Sequence, residues 1–395
     1  MKIERVDLFP LNLPFVGSLR IARGVAGSSD QRAPHVCVKL TADDGTVGWG
    51  EARPSHRWSY ETEESVVTTL RGYIAPLLVG MDPFDLDAIH TQMDEIIAPG
   101  ATHGQPIAKS AVDIAVHDLV ARATGVGLRQ MFGANRKSEL DYTWIVGASN
   151  IDDAVSRTEE GLEKGFKGFK IKVGLSPKSD AEVVKKIAET AGDAFLWADA
   201  NQAYTLSQAQ ELAKRFADVG VQVLEQPLAV HDITGYRRLV ATSPVPIAVD
   251  ESIWSPADLI QWIKLDALDM LVVKVCKMGG IRGARRSIEI AQEAGIGLLG
   301  SGLTESTLGF LASSHLYAAY GFDRPVDLNG PTQFLGDGPR MGDLELANGR
   351  CVLPDGPGLG IEFTDEILAP FVDEPFLGQQ YSVETIALKM IATEK

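Results

Sequence analysis

Cysteine is scarce in this chain: 395 residues hold three, Cys37, Cys276 and Cys351, far apart and without a CxxC pair. An odd, dispersed set offers no disulfide framework and predicts buried thiols in a reducing compartment. Positive charge is also in deficit, with 37 Lys and Arg against 53 Asp and Glu and a net charge of −16. The basic face of a nucleic-acid binder is therefore absent, and an anionic substrate would need local cations or a metal. Long apolar runs are missing too. Nothing approaches the roughly 18 residues of a membrane span, and the opening MKIERVDLFPLNLPF carries charges in its first turns and no apolar signal core. A cytoplasmic protein without lipid or nucleic-acid partners is expected.

What is present is ordinary globular composition, 45% hydrophobic and 23% charged, over a length that suggests two domains. The first 50 residues alternate in period 2 around the DDG turn of HVCVKLTADDGTVGWGEA, a hairpin signal. From about Glu61 the spacing of apolar residues becomes helical, in ESVVTTLRGYIAPLL, DPFDLDAIHTQMDEII and GQPIAKSAVDIAVHDLVARATG. An N-terminal α+β capping domain over 1–132 is predicted.

From Asp141 a rhythm sets in. Strand-like runs start near residues 141, 168, 194, 221, 245, 270, 295 and 324, about 25 residues apart, with amphipathic helices such as DAEVVKKIAETAG between most of them. Eight such units predict a (β/α)8 TIM barrel over 133–345. The last unit, GFDRPVDLNGPTQFLGDGP, is rich in Gly and Pro and shows no evident helix. A C-terminal segment, 346–395, is expected to return to the capping domain: CVLPDGPGLGIEF through a strand in the N-terminal sheet, YSVETIALKMIATEK as a short helix.

Chemistry in such barrels lies at the C-terminal strand ends. The second unit, GFKGFKIKVG, ends with Lys170 and Lys172 on one strand face, where two ammonium groups repel each other and require compensation. The third ends with Asp199 and Asn201, the fourth with Glu225, the fifth with Asp250 and Glu251, the sixth with Lys274 and the eighth with Asp327. Carboxylates converging from three successive strands repel one another unless a cation joins them, and hard oxygen donors without His or Cys suit Mg2+ or Mn2+. Lys172 and Lys274, from strands well separated around the ring, would reach a substrate from opposite faces. Lys170 beside Lys172 would lower its pKa toward the range of a base.

Together these residues resemble the enolase superfamily, in its muconate lactonizing enzyme subgroup, over the chain up to about Asp365. The resemblance rests on KIK at 170–172, DAN at 199–201, EQP at 225–227, DES at 250–252, KVCKMGG at 274–280, AQEAGIGLLGSGLTESTLGFLASSH in the seventh unit and DLNGP at 327–331. It implies that Asp199, Glu225 and Asp250 hold a divalent ion, that Lys172 and Lys274 are the acid/base pair, and that Lys170 tunes Lys172 and contacts the substrate carboxylate. Asn201, Ser301, Glu305 and Asp327 are expected around the substrate. So are residues of two capping loops near 15–32 and 52–63, with Arg20, Arg23 and Arg32 for a second carboxylate and Trp58 and Tyr60 for an apolar wall.

The implied reaction is removal or return of a proton α to a carboxylate through an enediolate. A muconate cycloisomerase-like lactonization leads. Racemization or epimerization of dipeptides, N-acylamino acids or a proline betaine, and o-succinylbenzoate synthesis, use the same lysine pair. A small carboxylate substrate and a homo-oligomer are expected. Asp327 stands where muconate cycloisomerases usually have Glu, and Gly302–Thr304 departs from their TML. No histidine lies at a predicted strand end, unlike relatives that use a seventh-strand His. A Schiff-base aldolase would also place a lysine at a strand end, but has no use for converging carboxylates; a non-catalytic barrel would have no use for them or for the lysines.

Overall fold

Two alternating runs meet at the tight turn Asp43–Gly45, where Gly45 takes a φ of +85° that a side chain would resist. They form the strands Arg32–Ala42 and Val47–Ala52, paired antiparallel from Val36 opposite Ala52 to Thr41 opposite Val47. Ile3–Pro14 lies on the other side of Arg32–Ala42, and Gln380–Ser382 pairs with it in turn, giving a four-stranded sheet. The computed structural model describes residues 1–133, 137–148, 150–336, 338–373 and 380–382.

Helix Pro106–Thr124 rests directly on this sheet because Gly48 and Gly50 stand under it: a Cβ at either would collide with the carbonyls of Ala115 or Ala111. Every residue of the helix from Pro106 to Ala121 is buried, the charged Lys109, Asp113 and Asp118 included. Its free N-terminal N–H groups are taken by Glu61, whose carboxylate oxygens accept from Ile107 N at 2.8 Å and Ala108 N at 2.9 Å.

The period of about 25 residues becomes a parallel sheet of seven strands in chain order: Thr143–Val146, Gly168–Lys172, Phe195–Asp199, Val223–Glu225, Ile247–Val249, Met270–Lys274 and Gly297–Ser301. The eighth place is filled by two residues rather than a strand. Val326 bridges Tyr142, beside the first strand, and Asp327 bridges Ser301 of the seventh, so the sheet curls round to closure. After it comes a single wide turn, Gly330–Phe334, in place of an eighth helix. Six amphipathic helices cover the outside, several of them opened by side-chain caps such as Ser176, Asp232 and Ser255, and a seventh, Thr307–Ala319, is buried along its whole length.

Inside the ring Trp197, Val223, Ala248, Met270, Val272 and Leu299 pack into one apolar cluster. Because side chains on a strand repeat their direction every second residue, the next inward layer toward the C-terminal mouth is Asp199, Glu225, Asp250, Lys274 and Ser301.

The segment after the barrel departs from expectation. Arg350–Val352 pairs with Glu139–Asp141 and Glu345–Ala347 in a separate three-stranded sheet, with Leu140 and Cys351 buried and Arg350 in surface ion pairs with Asp141 (2.8 Å) and Glu139 (2.7 Å). The loop beyond it meets the capping helix through Leu359 N, which donates to Asp118, and through Arg122, which donates to Glu362. The strand that joins the N-terminal sheet is Gln380–Ser382 instead. Tyr381 and Ser382, expected to begin a helix, are strand, and the rest of that stretch lies outside the described residues. All three cysteines are buried and unpaired, and among the described residues no helix is long and apolar enough to cross a membrane.

Candidate active site

The inward layer gathers acids and bases at one level. Lys172 pairs with Asp199 across adjacent strands at 2.6 Å, and Lys274 with Asp250 at 2.7 Å. Lys170, one layer deeper and fully buried, has its ammonium 2.8 Å from Asp327, 2.9 Å from Glu225 and 3.3 Å from Asp199, and lies 4.2 Å from the centre of the Trp197 ring. Carboxylates and a π face thus compensate the lysine repeat. Burial alone would lower the Lys170 pKa, but the acids of Asp327, Glu225 and Asp199 outweigh it and hold the ammonium well above its ordinary value. The net effect at Lys170 is therefore opposite to that expected from a like-charged neighbour alone. Lys274 is likewise raised, with Asp250 overcoming burial.

The acids divide. Asp250 is held well below the carboxylate range because Lys274 and Lys277 overcome its burial, whereas burial and the neighbouring Asp199 push Glu225 well above it. Lys277 was not foreseen from the strand pattern, since it sits three residues past the strand end. It reaches back, fully buried, to Asp250 at 2.9 Å.

Several buried oxygens are left without hydrogen bonds: Glu225 Oε1, Asn201 Oδ1 and Glu251 Oε2. Glu225 Oε2 and Asp250 Oδ2 touch ammonium groups but make no well-oriented hydrogen bond. Such a set of hard, unsatisfied oxygens fits a divalent cation. Among the described residues no three acids already stand close enough to ligate one point; the ammonium groups are interleaved with them. Just past the strand ends Asn201, Gln202, Gln226 and Thr304 all adopt left-handed backbone conformations, with φ between 38° and 71°. Non-glycine residues held this way cluster at functional sites.

Lys172 and Lys274 line one cavity of about 50 Å³. Its walls come from the N-terminal domain: Phe15, the hairpin residues Leu19, Ile21 and Ala26, then Arg53 and Trp58, whose ring centre lies 4.2 Å from Lys274 Nζ. Thr304, Asp327 and Asn329 close the barrel side. The hairpin is pinned over the mouth where Phe15 stacks on Phe334 at 5.2 Å and Val16 N donates to Phe334 O.

The remaining expected residues separate by distance from this cavity. Asp327 lines it but is engaged, accepting from Lys170, Ser301 and Asn329. Ser301 is buried behind Asp327, and Glu305 accepts from Cys276 Sγ and Leu303 N. Asn201 is buried and donates to Glu251. Arg20, Arg23 and Arg32 are exposed and not among its lining residues; Arg23 and Tyr60 border an outer hollow with Glu251. Arg53, Thr304 and Asn329 were missed: Arg53 stands in the quoted loop RPSHRWSYETE, but nothing in that loop's pattern tells an inward side chain from an outward one.

Residues 153–367 match the enolase C-terminal domain-like family, and residues 18–133 match the mandelate racemase / muconate lactonizing enzyme N-terminal domain. The chain belongs to the mandelate racemase and muconate lactonizing enzyme family. It is 33% identical to muconate cycloisomerase 1-2 of Acinetobacter lwoffii over 91% of this chain and 93% of that protein. It is 29% identical to an N-succinyl-L-Arg/Lys racemase of Bacillus cereus over 93% and 97%. The structure of a dipeptide epimerase from Cytophaga hutchinsonii, complexed with Mg and D-Ala-L-Val, superposes with a TM-score of 0.87 at 25% identity, over 96% of this chain and 100% of that one. These relatives are cycloisomerases, racemases and epimerases, and the chain is an isomerase of the enolase superfamily.

Proposed function

We propose that this protein moves a proton at the carbon α to a substrate carboxylate, with Lys172 and Lys274 as the acid and base, and that its leading reaction is cycloisomerization of a muconate-type dicarboxylate. The observation that carries the reading is that both ammonium groups line one cavity and that each is paired with an acid of the carboxylate layer, Asp199 and Asp250. Asp199, Glu225 and Asp250 would hold a divalent ion, Mg2+ in the first instance. When bound, the ion would stabilise negative charge developing on the substrate carboxylate.

In the lactonization, one carboxylate oxygen adds to the distant double bond, the π electrons move toward the other carboxylate, and a lysine ammonium gives its proton to the α-carbon. The apolar walls from Phe15, Leu19, Ile21 and Trp58 suit a flat hydrocarbon body and exclude water. Racemization of an N-acylamino acid is the second reading, favoured by the presence of a lysine for each face. A free dipeptide fits less well, because Asp327, the acid lining the cavity, has both oxygens engaged and offers no unpaired partner to a substrate ammonium.

The test is NMR in D2O with Mg2+ on cis,cis-muconate, N-acylamino acids and dipeptides. A singly deuterated lactone supports the leading reading, and α-deuteration with inversion of an N-acylamino acid moves the protein to the second. Turnover that persists unchanged after chelation and dialysis removes the proposed metal role.

A further inference from the structure

We infer that Arg53 is a specificity residue that receives a second carboxylate of the substrate, so the cavity is built for dicarboxylates. This rests on the proton-transfer reading of the lysine site. Arg53 is 5% exposed and follows the end of the strand Val47–Ala52. Its Nη1 donates to the carbonyls of Pro34, at 3.2 Å, and Pro54. Its Nε is buried without a hydrogen-bond partner, and among the described residues the guanidinium forms no ion pair.

Of the acids nearest in charge, Glu63 keeps a buried Oε1 without a hydrogen-bond partner yet forms no ion pair with Arg53 among the described residues, and Glu51 and Glu305 are committed elsewhere. Glu51 accepts from Ser306 N at 2.8 Å, Ser306 Oγ at 2.6 Å and Gly309 N at 3.0 Å, and Glu305 from Leu303 N at 2.7 Å and Cys276 Sγ at 3.0 Å. A guanidinium withdrawn from water without a bonded anion is costly, and its planar fork suits a carboxylate.

The position completes the case. Arg53 lines the cavity that holds Lys172 and Lys274, and with Phe15, Ala26 and Ser55 it also lines a second cavity of about 60 Å³ bordered by Arg32, His56 and Arg57. A substrate with its reacting carboxylate at the lysine end would thus lay an apolar body against Phe15 and Trp58 and meet positive charge at its far end. Muconate and N-succinylamino acids share this chemistry, a second carboxylate separated from the first by a short chain.

The experiment compares matched pairs differing only at the far group: N-succinyl against N-succinamoyl amino acid, and cis,cis-muconate against its monomethyl ester. Binding, read as thermal shift and by calorimetry, and D2O exchange are both measured, in the wild type and in Arg53→Lys and Arg53→Met. The wild type should favour the acid over its neutral match by on the order of tenfold to a hundredfold in at least one pair. Arg53→Met should bring that ratio to about one, with Arg53→Lys between. Equal affinity for acid and neutral match in the wild type overturns the inference, as does a preference that survives in a folded Arg53→Met. Arg53-dependent preference in binding without proton exchange on any compound would leave this assignment standing and sink the proton-transfer reading.

Discussion

Lys170 and Lys172 are two residues apart in the chain and one layer apart in the barrel, and that layer separates two roles. Lys172 lines the substrate cavity; Lys170 lies beneath it, buried among Asp327, Glu225 and Asp199. Removing a buried cation from such a set leaves charges without a partner, which typically costs about 3–5 kcal/mol. Lys170→Met should therefore lower the unfolding free energy extrapolated from urea denaturation by an amount in that range, and a variant as stable as the wild type would refute the structural part of the role. Lys172→Ala and Lys274→Ala, measured as folded protein, should lose turnover by on the order of 100- to 10,000-fold, the usual share of a positioned acid or base. Near-normal exchange rates in both would remove them from the mechanism. Lys172, Asp199, Glu225 and Lys274 were legible from sequence because each closes an apolar strand run. Arg53 and Lys277 were not, since a loop and a helical turn carry no period-2 rule to say which way a side chain faces.

Among the elements, the helix Pro106–Thr124 depends on Glu61 at its buried N-terminus. Burial pushes the Glu61 carboxyl up to about 7, against Ile107 N–H and Ala108 N–H, which favour the anion. An unfolded chain titrates it near 4.5, so folding takes up a proton between the two values. That contribution is fully present below about pH 4.5 and is lost as pH rises through about 7, a swing on the order of 3 kcal/mol. Denaturation midpoints from pH 5 to 8 should fall less steeply for Glu61→Gln than for the wild type. Parallel slopes would assign the pH dependence elsewhere, Glu51 being the next group pushed to about 7 by burial. Helix and strand identities were readable from apolar spacing. The pairing of Arg350–Val352 was not, because its partner Glu139–Asp141 lies some 210 residues earlier and no local period points to it.

At the scale of the whole molecule, the two domains meet at the eighth barrel position, where Val326 and Asp327 close the ring and Phe334 receives Phe15. Phe334→Ala should loosen the hairpin over the mouth without unfolding the barrel. The expected result is a KM raised several-fold and faster protease cleavage within residues 18–28. An unchanged KM with unchanged cleavage would show that closure does not depend on this contact. The eight-unit rhythm made the ring legible in advance, but the Gly- and Pro-rich last unit could not show that two bridging residues and one wide turn replace a strand and a helix.

The cavity has walls from one domain and a floor from the other: Phe15, Leu19, Ile21, Arg53 and Trp58 above, Lys172, Lys274 and Asp327 below. In a gene, these lie in separate stretches, the selective surface within the first 60 codons and the reacting groups beyond codon 170. Descent can therefore revise what the protein accepts while leaving untouched what it does to it, and a recombination between the two stretches would hand the same chemistry a new diet.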